Sequence, residues 1–129
     1  MGDFSREELA KVLAAFEIEP GVDVEHLDTS MLPLLQELSR AARMRGVGPL
    51  RITSGFRETH PVRGGPDRGF HGIGLALDIG AAGMRPDVIR DLAYYGRSKG
   101  FQAVEQPHGT GPHIHFEFDT PKTKARLPK

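Results

Sequence analysis

Gly69-Phe70-His71-Gly72-Ile73-Gly74-Leu75-Ala76-Leu77-Asp78-Ile79-Gly80 decides the reading of this chain. The apolar run from Leu75 to Ile79 predicts a strand, with Ala76 and Asp78 pointing one way and Leu75, Leu77 and Ile79 the other. A carboxylate in such a setting is costly unless it meets a cation or hydrogen-bond donors, so Asp78 needs a partner. His71 has the opposite parity and can join Asp78 only if the backbone turns between them, which Gly72 and Gly74 permit.

A second stretch answers the first. In Gly111-Pro112-His113-Ile114-His115-Phe116-Glu117-Phe118, the polar residues His113, His115 and Glu117 alternate with Ile114, Phe116 and Phe118. That alternation predicts a strand with one core face and one wet or metal-lined face. Three protein ligands of nitrogen and oxygen type plus an open water position is the usual layout of a catalytic zinc, and His71, Asp78 and His115 would make that set. Imidazole and carboxylate donors without sulfur fit zinc best among the common metals, although cobalt, nickel or manganese could occupy the same cage.

These residues, with Ser54-Gly55-Phe56-Arg57 before them, resemble the zinc D-alanyl-D-alanine carboxypeptidases and related L-alanyl-D-glutamate endopeptidases, which share a fold with the hedgehog signalling domain. The family pattern is Ser-Gly-Tyr-Arg, then Ser-x-His-x-x-Gly-x-Ala-x-Asp, then a histidine on a late strand, and the likeness covers most of the chain. The opening Phe4-Ser5-Arg6-Glu7-Glu8 is similar to the start of such domains, and the closing Gly-Pro-His-Ile-His-Phe-Glu resembles the end of lysostaphin-type endopeptidases. There the second histidine binds zinc and the first assists catalysis. The resemblance implies an α+β fold, a small mainly antiparallel sheet with packed helices, and a zinc metallopeptidase acting on peptidoglycan stem peptides that contain D-amino acids.

It also implies roles. His71, Asp78 and His115 are the expected metal ligands, His115 also because it lies centrally in its strand. His113 is the expected base or oxyanion donor, since an imidazole with an ordinary pKa near 6.5 exchanges protons at neutral pH. Glu117 is the alternative base, or an acceptor that orients a ligand histidine. Arg57 would grip a substrate carboxylate or the oxyanion formed during hydrolysis. Three departures from the family pattern stand out: Gly69 replaces a serine, Pro61 an asparagine, and Pro112 an acidic residue. Pro112 and Gly69 support a rival expectation, a catalytically idle zinc-binding module of a phage tail or cell-wall device that grips peptidoglycan or a protein partner without cutting it.

Composition bounds the rest. A chain of 129 residues is large enough for one core, and the absence of cysteine excludes disulfides, a thiolate zinc finger and a cysteine nucleophile. A formal net charge of zero offers no electrostatic case for nucleic acid or an anionic membrane. No apolar run reaches the length of a membrane span, and Asp3, Glu7 and Glu8 do not suit a signal peptide, so delivery to the wall is expected through lysis, a phage particle or a partner. A monomer or a member of such an assembly is expected.

In chain order, Ser5 and Glu8 form a capping box for an amphipathic helix over residues 6–17, and His26 follows in a loop without a nearby partner. A second helix is expected from Ser30 to Arg45 and a strand from Leu50 to Ser54. The Gly- and Pro-rich segment 58–70 is a functional loop carrying His60 at the rim. Pro86 opens a third helix, Phe101 to Glu105 is a strand, and residues 106–112, with His108, form a turn. Residues 1–120 are expected to form the single zinc peptidase-like domain and 121–129 a basic flexible tail.

Overall fold

The structure is a computed structural model that describes residues 4–106 and 111–128; His108 and most of the turn around it lie outside the described residues. The fold is α+β, a five-stranded, mostly antiparallel sheet packed with three main helices. Helix α1, Arg6–Leu13, begins at the capping box foreseen from Ser5 and Glu8. It stops earlier than its apolar spacing suggests, because Phe16 is buried and Glu17–Ile18 (β1) pair in parallel with Arg51–Ser54 (β2). Helix α2, Leu32–Met44, starts later than expected: Asp28 caps a 3-10 turn over Thr29–Met31 first, its carboxylate accepting from the Ser30 N–H. Its inward stripe is the predicted one, with Leu34, Leu35, Leu38, Ala41 and Ala42 all buried.

The sheet order is β1-β2-β3-β5-β4, where β3 is Ala76–Gly80, β4 Gln102–Gln106 and β5 His113–Glu117. Helix α3, Pro86–Ser98, lies between β3 and β4 in sequence and packs on α2 and on the sheet. Ile114 and Phe116 are fully buried, as the alternation in β5 requires. Helix and strand approach closely there: a methyl group on Gly96 of α3 would sit 2.4 Å from the Phe116 ring. Substituting alanine at that position forces repacking that costs about 1–3 kcal/mol.

Register places the polar stretches together. Asp78 stands opposite His115 on one side and Ser54 on the other, so it occupies the middle of the sheet. A register shift between Ile52 and Ser54 is what brings Ser54 level with Asp78.

The segment expected as a basic flexible tail contains a short helix. Residues Pro121–Lys124 form a short helix, α4, closed by a reciprocal cap between Thr120 and Thr123, and the Thr123 hydroxyl donates to the Phe118 carbonyl. Thr123 is buried, Leu127 packs against the core, and Arg126 pairs with Asp28 at 3.2 Å. The reading of His26 is corrected: its Nδ1 lies 2.7 Å from Asp23, although the ring stays exposed.

Candidate metal centre

The turn needed between His71 and Asp78 is a 3-10 helix over Phe70–Ile73 that ends at Gly74 with φ of 74°. Gly74 also passes within hydrogen-bonding distance of Asp28, and a Cβ there would lie 2.5 Å from the His26 carbonyl oxygen. Gly72 is needed for another reason, since a Cβ would strike the Asp67 carbonyl oxygen at 2.1 Å. The result is that His71 is turned back over the sheet, with its ring 5.1 Å from that of His115.

His71, Asp78 and His115 each offer one ligand atom, and these atoms lie within 4.8 Å of one another. His71 Nδ1–H donates to the Gly55 carbonyl at 2.7 Å, which leaves Nε2 directed at Asp78 Oδ1, 3.4 Å away. His115 Nδ1 lies 2.8 Å from the same Asp78 oxygen, and its Nε2 lies 2.8 Å from Glu117 Oε1. Both histidines therefore have one ring nitrogen facing Asp78 and the other occupied by an acceptor, the arrangement that fixes tautomer and ring orientation in metal-ligating histidines. Two imidazole nitrogens and one carboxylate oxygen, buried and without sulfur, suit a borderline divalent ion such as zinc.

Charge is distributed in the same sense. Burial pushes the Asp78 carboxyl upward, but hydrogen bonds from His115 and His71 outweigh it and hold the group well below the usual carboxylate range. Burial likewise lowers the His115 imidazolium, and hydrogen bonds to Asp78 and Glu117 more than offset that, raising it above its ordinary 6.5. In metal-free protein the His115–Asp78 pair consequently adds stability from about the ordinary Asp value of 3.8 up to beyond pH 6.5, fading as pH falls through the depressed Asp78 value or rises through the raised His115 value. The melting temperature in chelator should decline as pH rises past 6.5, and His115→Gln should remove the decline. Zinc affinity should change in the opposite sense, growing with pH as the ligand proton is displaced. A flat wild-type profile in chelator would contradict the pairing.

Around the group lies an open cleft of about 290 Å³, walled by Arg57, His60, Val62, Gln106 and His113 among others. His113 Nδ1–H donates to the Gly111 carbonyl at 2.8 Å, while Nε2 faces the Gln106 amide at 3.0 Å and Asp78 Oδ2 at 3.8 Å. A primary amide presents either its oxygen or its NH2, so Gln106 can accompany both protonation states of that nitrogen. Glu117 does not wall the cleft; it sits on the far nitrogen of His115. His60 Nδ1 accepts from the backbone N–H groups of Val62 and Arg63, at 3.2 and 3.1 Å, which puts its ring proton on Nε2.

Asp67 is a buried residue beside the site that sequence reasoning missed. Its side chain is only 4% exposed, and Oδ2 accepts from Arg57 Nε at 3.1 Å while Oδ1 accepts from the Gly69 N–H at 2.9 Å. One carboxylate thus fixes the arginine and the turn before His71. The available signal was an acidic residue in an otherwise cationic and glycine-rich loop, Arg63-Gly64-Gly65-Pro66-Asp67-Arg68.

Fold and donor set define an α+β protein with a buried His–Asp–His group that could hold a metal ion. We find no family model, curated protein or solved structure that matches the chain. Among the described residues, no helix is long and apolar enough to cross a membrane.

Proposed function

We propose that the protein is a zinc metallopeptidase that hydrolyses peptidoglycan stem peptides containing D-amino acids. One observation carries the reading: His71, Asp78 and His115 converge in the wall of an open cleft that also holds an arginine, Arg57, tied through Nε to Asp67, and a further histidine, His113. Zinc on the three ligands would supply a Lewis acid for the peptide carbonyl and a water acidified to near neutral pH. The chain's own groups do the rest. His113 Nε2 takes the proton from the attacking water and passes it to the leaving amide nitrogen, as the C–N bond breaks and the new carboxyl forms. Arg57, its Nε tied to Asp67, turns its terminal nitrogens to the oxygen on which negative charge develops. Glu117 holds the His115 ring. The resemblance described from the sequence names the substrate class.

Zinc-loaded protein incubated with purified peptidoglycan should release new amino and carboxyl termini, and a chelator should stop the release. Retention of wall fragments without new termini would replace this reading by the idle binding module. That rival rests on Pro112 and Gly69; Pro112 is exposed, and its carbonyl is already taken by the Ala81 N–H.

Arg57→Lys should bind zinc normally yet lose most turnover, because a point charge cannot reproduce the fork. Asp67→Asn keeps an acceptor for Gly69 but removes the charge that steers Arg57, and should cost about tenfold in turnover at unchanged zinc stoichiometry. Since Asp67 acts through Arg57, adding Asp67→Asn to Arg57→Lys should change little more. Fully additive losses would show that the two act separately.

A further inference from the structure

Between Arg57 and His71 the chain makes a hairpin whose feet are tied to the metal-ligating group. The Arg57 N–H donates to the His71 carbonyl at 3.1 Å, and the Asp67 N–H donates to the Glu58 carbonyl at 2.9 Å. Thr59 and Pro66 then pair antiparallel, and the His60 N–H donates to the Gly65 carbonyl at 2.9 Å. Gly64 and Gly65, at φ of 72° and 70°, carry the return, a conformation that residues with side chains seldom adopt.

One ring holds the tip from inside. His60 Nδ1 accepts from both the Val62 and the Arg63 N–H, and the His60 carbonyl accepts from the Gly64 N–H at 3.0 Å. The imidazole does here what an aspartate or asparagine side chain does in a local turn, gathering N–H groups two and three residues ahead. Its effect is to fix the backbone of Val62 at the crest of the hairpin.

Val62 is 79% exposed, more than Met44, Tyr94 or Val104, the other large apolar residues that stand exposed among the described residues. An exposed valine is ordinary on its own. This one belongs to the wall of the metal-site cleft, where the other lining side chains are Pro61 and polar or ionisable groups. An apolar group fixed in a polar wall becomes favourable when a ligand covers it, because water then leaves both surfaces, and the group it suits is an aliphatic side chain. We propose that Val62 is a specificity-determining residue that packs on an aliphatic side chain of the bound stem peptide, and that His60 is the positioning residue that holds Val62 in place. This deepens, and rests on, the peptidase reading above.

The test uses zinc-loaded full chain and the synthetic peptide N-acetyl-L-Ala-γ-D-Glu-L-Lys-D-Ala-D-Ala, with KM and kcat read from the new termini. Val62→Ser should raise KM about tenfold with kcat within about twofold, the pattern of a contact made equally in the ground and transition states. Val62→Leu keeps the apolar surface and should stay within about threefold of wild type. His60→Ala should match Val62→Ser, whereas His60→Asn, whose Oδ1 can collect the same two N–H groups, should stay within about threefold of wild type. Adding His60→Ala to Val62→Ser should change little more. Zinc stoichiometry should stay at the wild-type value throughout, and its loss in His60→Ala would move the effect to the metal site and overturn the positioning role. A wild-type KM in Val62→Ser would remove Val62 from the binding path and overturn the inference. Equal losses in His60→Asn and His60→Ala would make the ring itself the contact, which also overturns it. If wild type binds the peptide without cutting it, the peptidase reading falls, and the same factors are read in Kd by calorimetry, where an unchanged Kd for Val62→Ser overturns the inference. A wild type that neither binds nor cuts the peptide overturns the inference, and the peptidoglycan assay then decides the peptidase reading separately.

Discussion

Replacing His71, Asp78 or His115 singly with alanine is expected to empty the metal site. Each contributes one of the three donor atoms that converge among the described residues. Loss of one ligand should weaken zinc binding by about 3 kcal/mol or more, a hundredfold or more in affinity. Wild-type protein passed through gel filtration should retain about one zinc per chain and melt at a higher temperature with zinc than with chelator, because a ligand that binds only the folded state stabilises it. The three variants should show neither effect. Undiminished zinc in any of them would remove that residue from the set, and in all three would refute the site.

The second large effect separates binding from proton transfer on β5. His113→Ala should keep its zinc and lose about a hundredfold or more in turnover. Its ring walls the cleft, and Nε2 has a partner, Gln106, that tolerates either protonation state. Glu117→Gln should act through the metal instead, lowering zinc affinity about ten- to a hundredfold by weakening the hold on His115 Nε2. If Glu117→Gln stops turnover with zinc fully bound, Glu117 is the base. If His113→Ala releases zinc while His115→Ala retains it, the two histidines exchange roles.

Much of this site is legible in the sequence because strands encode faces with a period of two. His113, His115 and Glu117 could share a surface only as alternate residues of a strand, and the structure has them so. His71 was harder, being of the wrong parity, yet Gly72 and Gly74 advertise the turn that corrects it. Asp67 had no such pattern. Its importance arises from two hydrogen bonds and a close approach to Gly72 that only the folded loop brings about. Strand β1 was invisible for a related reason: two residues carry no periodicity, and their conformation is imposed by pairing with β2. At the other end of the chain, the basic composition of the last residues concealed a usable local signal, Thr120 with Thr123 around Pro121, together with Leu127 as an anchor.

The acceptor that orients His71 is a main-chain carbonyl, that of Gly55, not a side chain. No point substitution can delete it. Only a displaced backbone could withdraw it, and position 55 is itself intolerant, because any Cβ there would lie 2.3 Å from the Asp23 carbonyl oxygen. Inheritance of the His71 orientation is thus tied to conservation of chain path rather than to a second ionisable residue. Variation among descendants of this sequence should therefore leave Gly55 untouched even where the residues that touch substrate have changed.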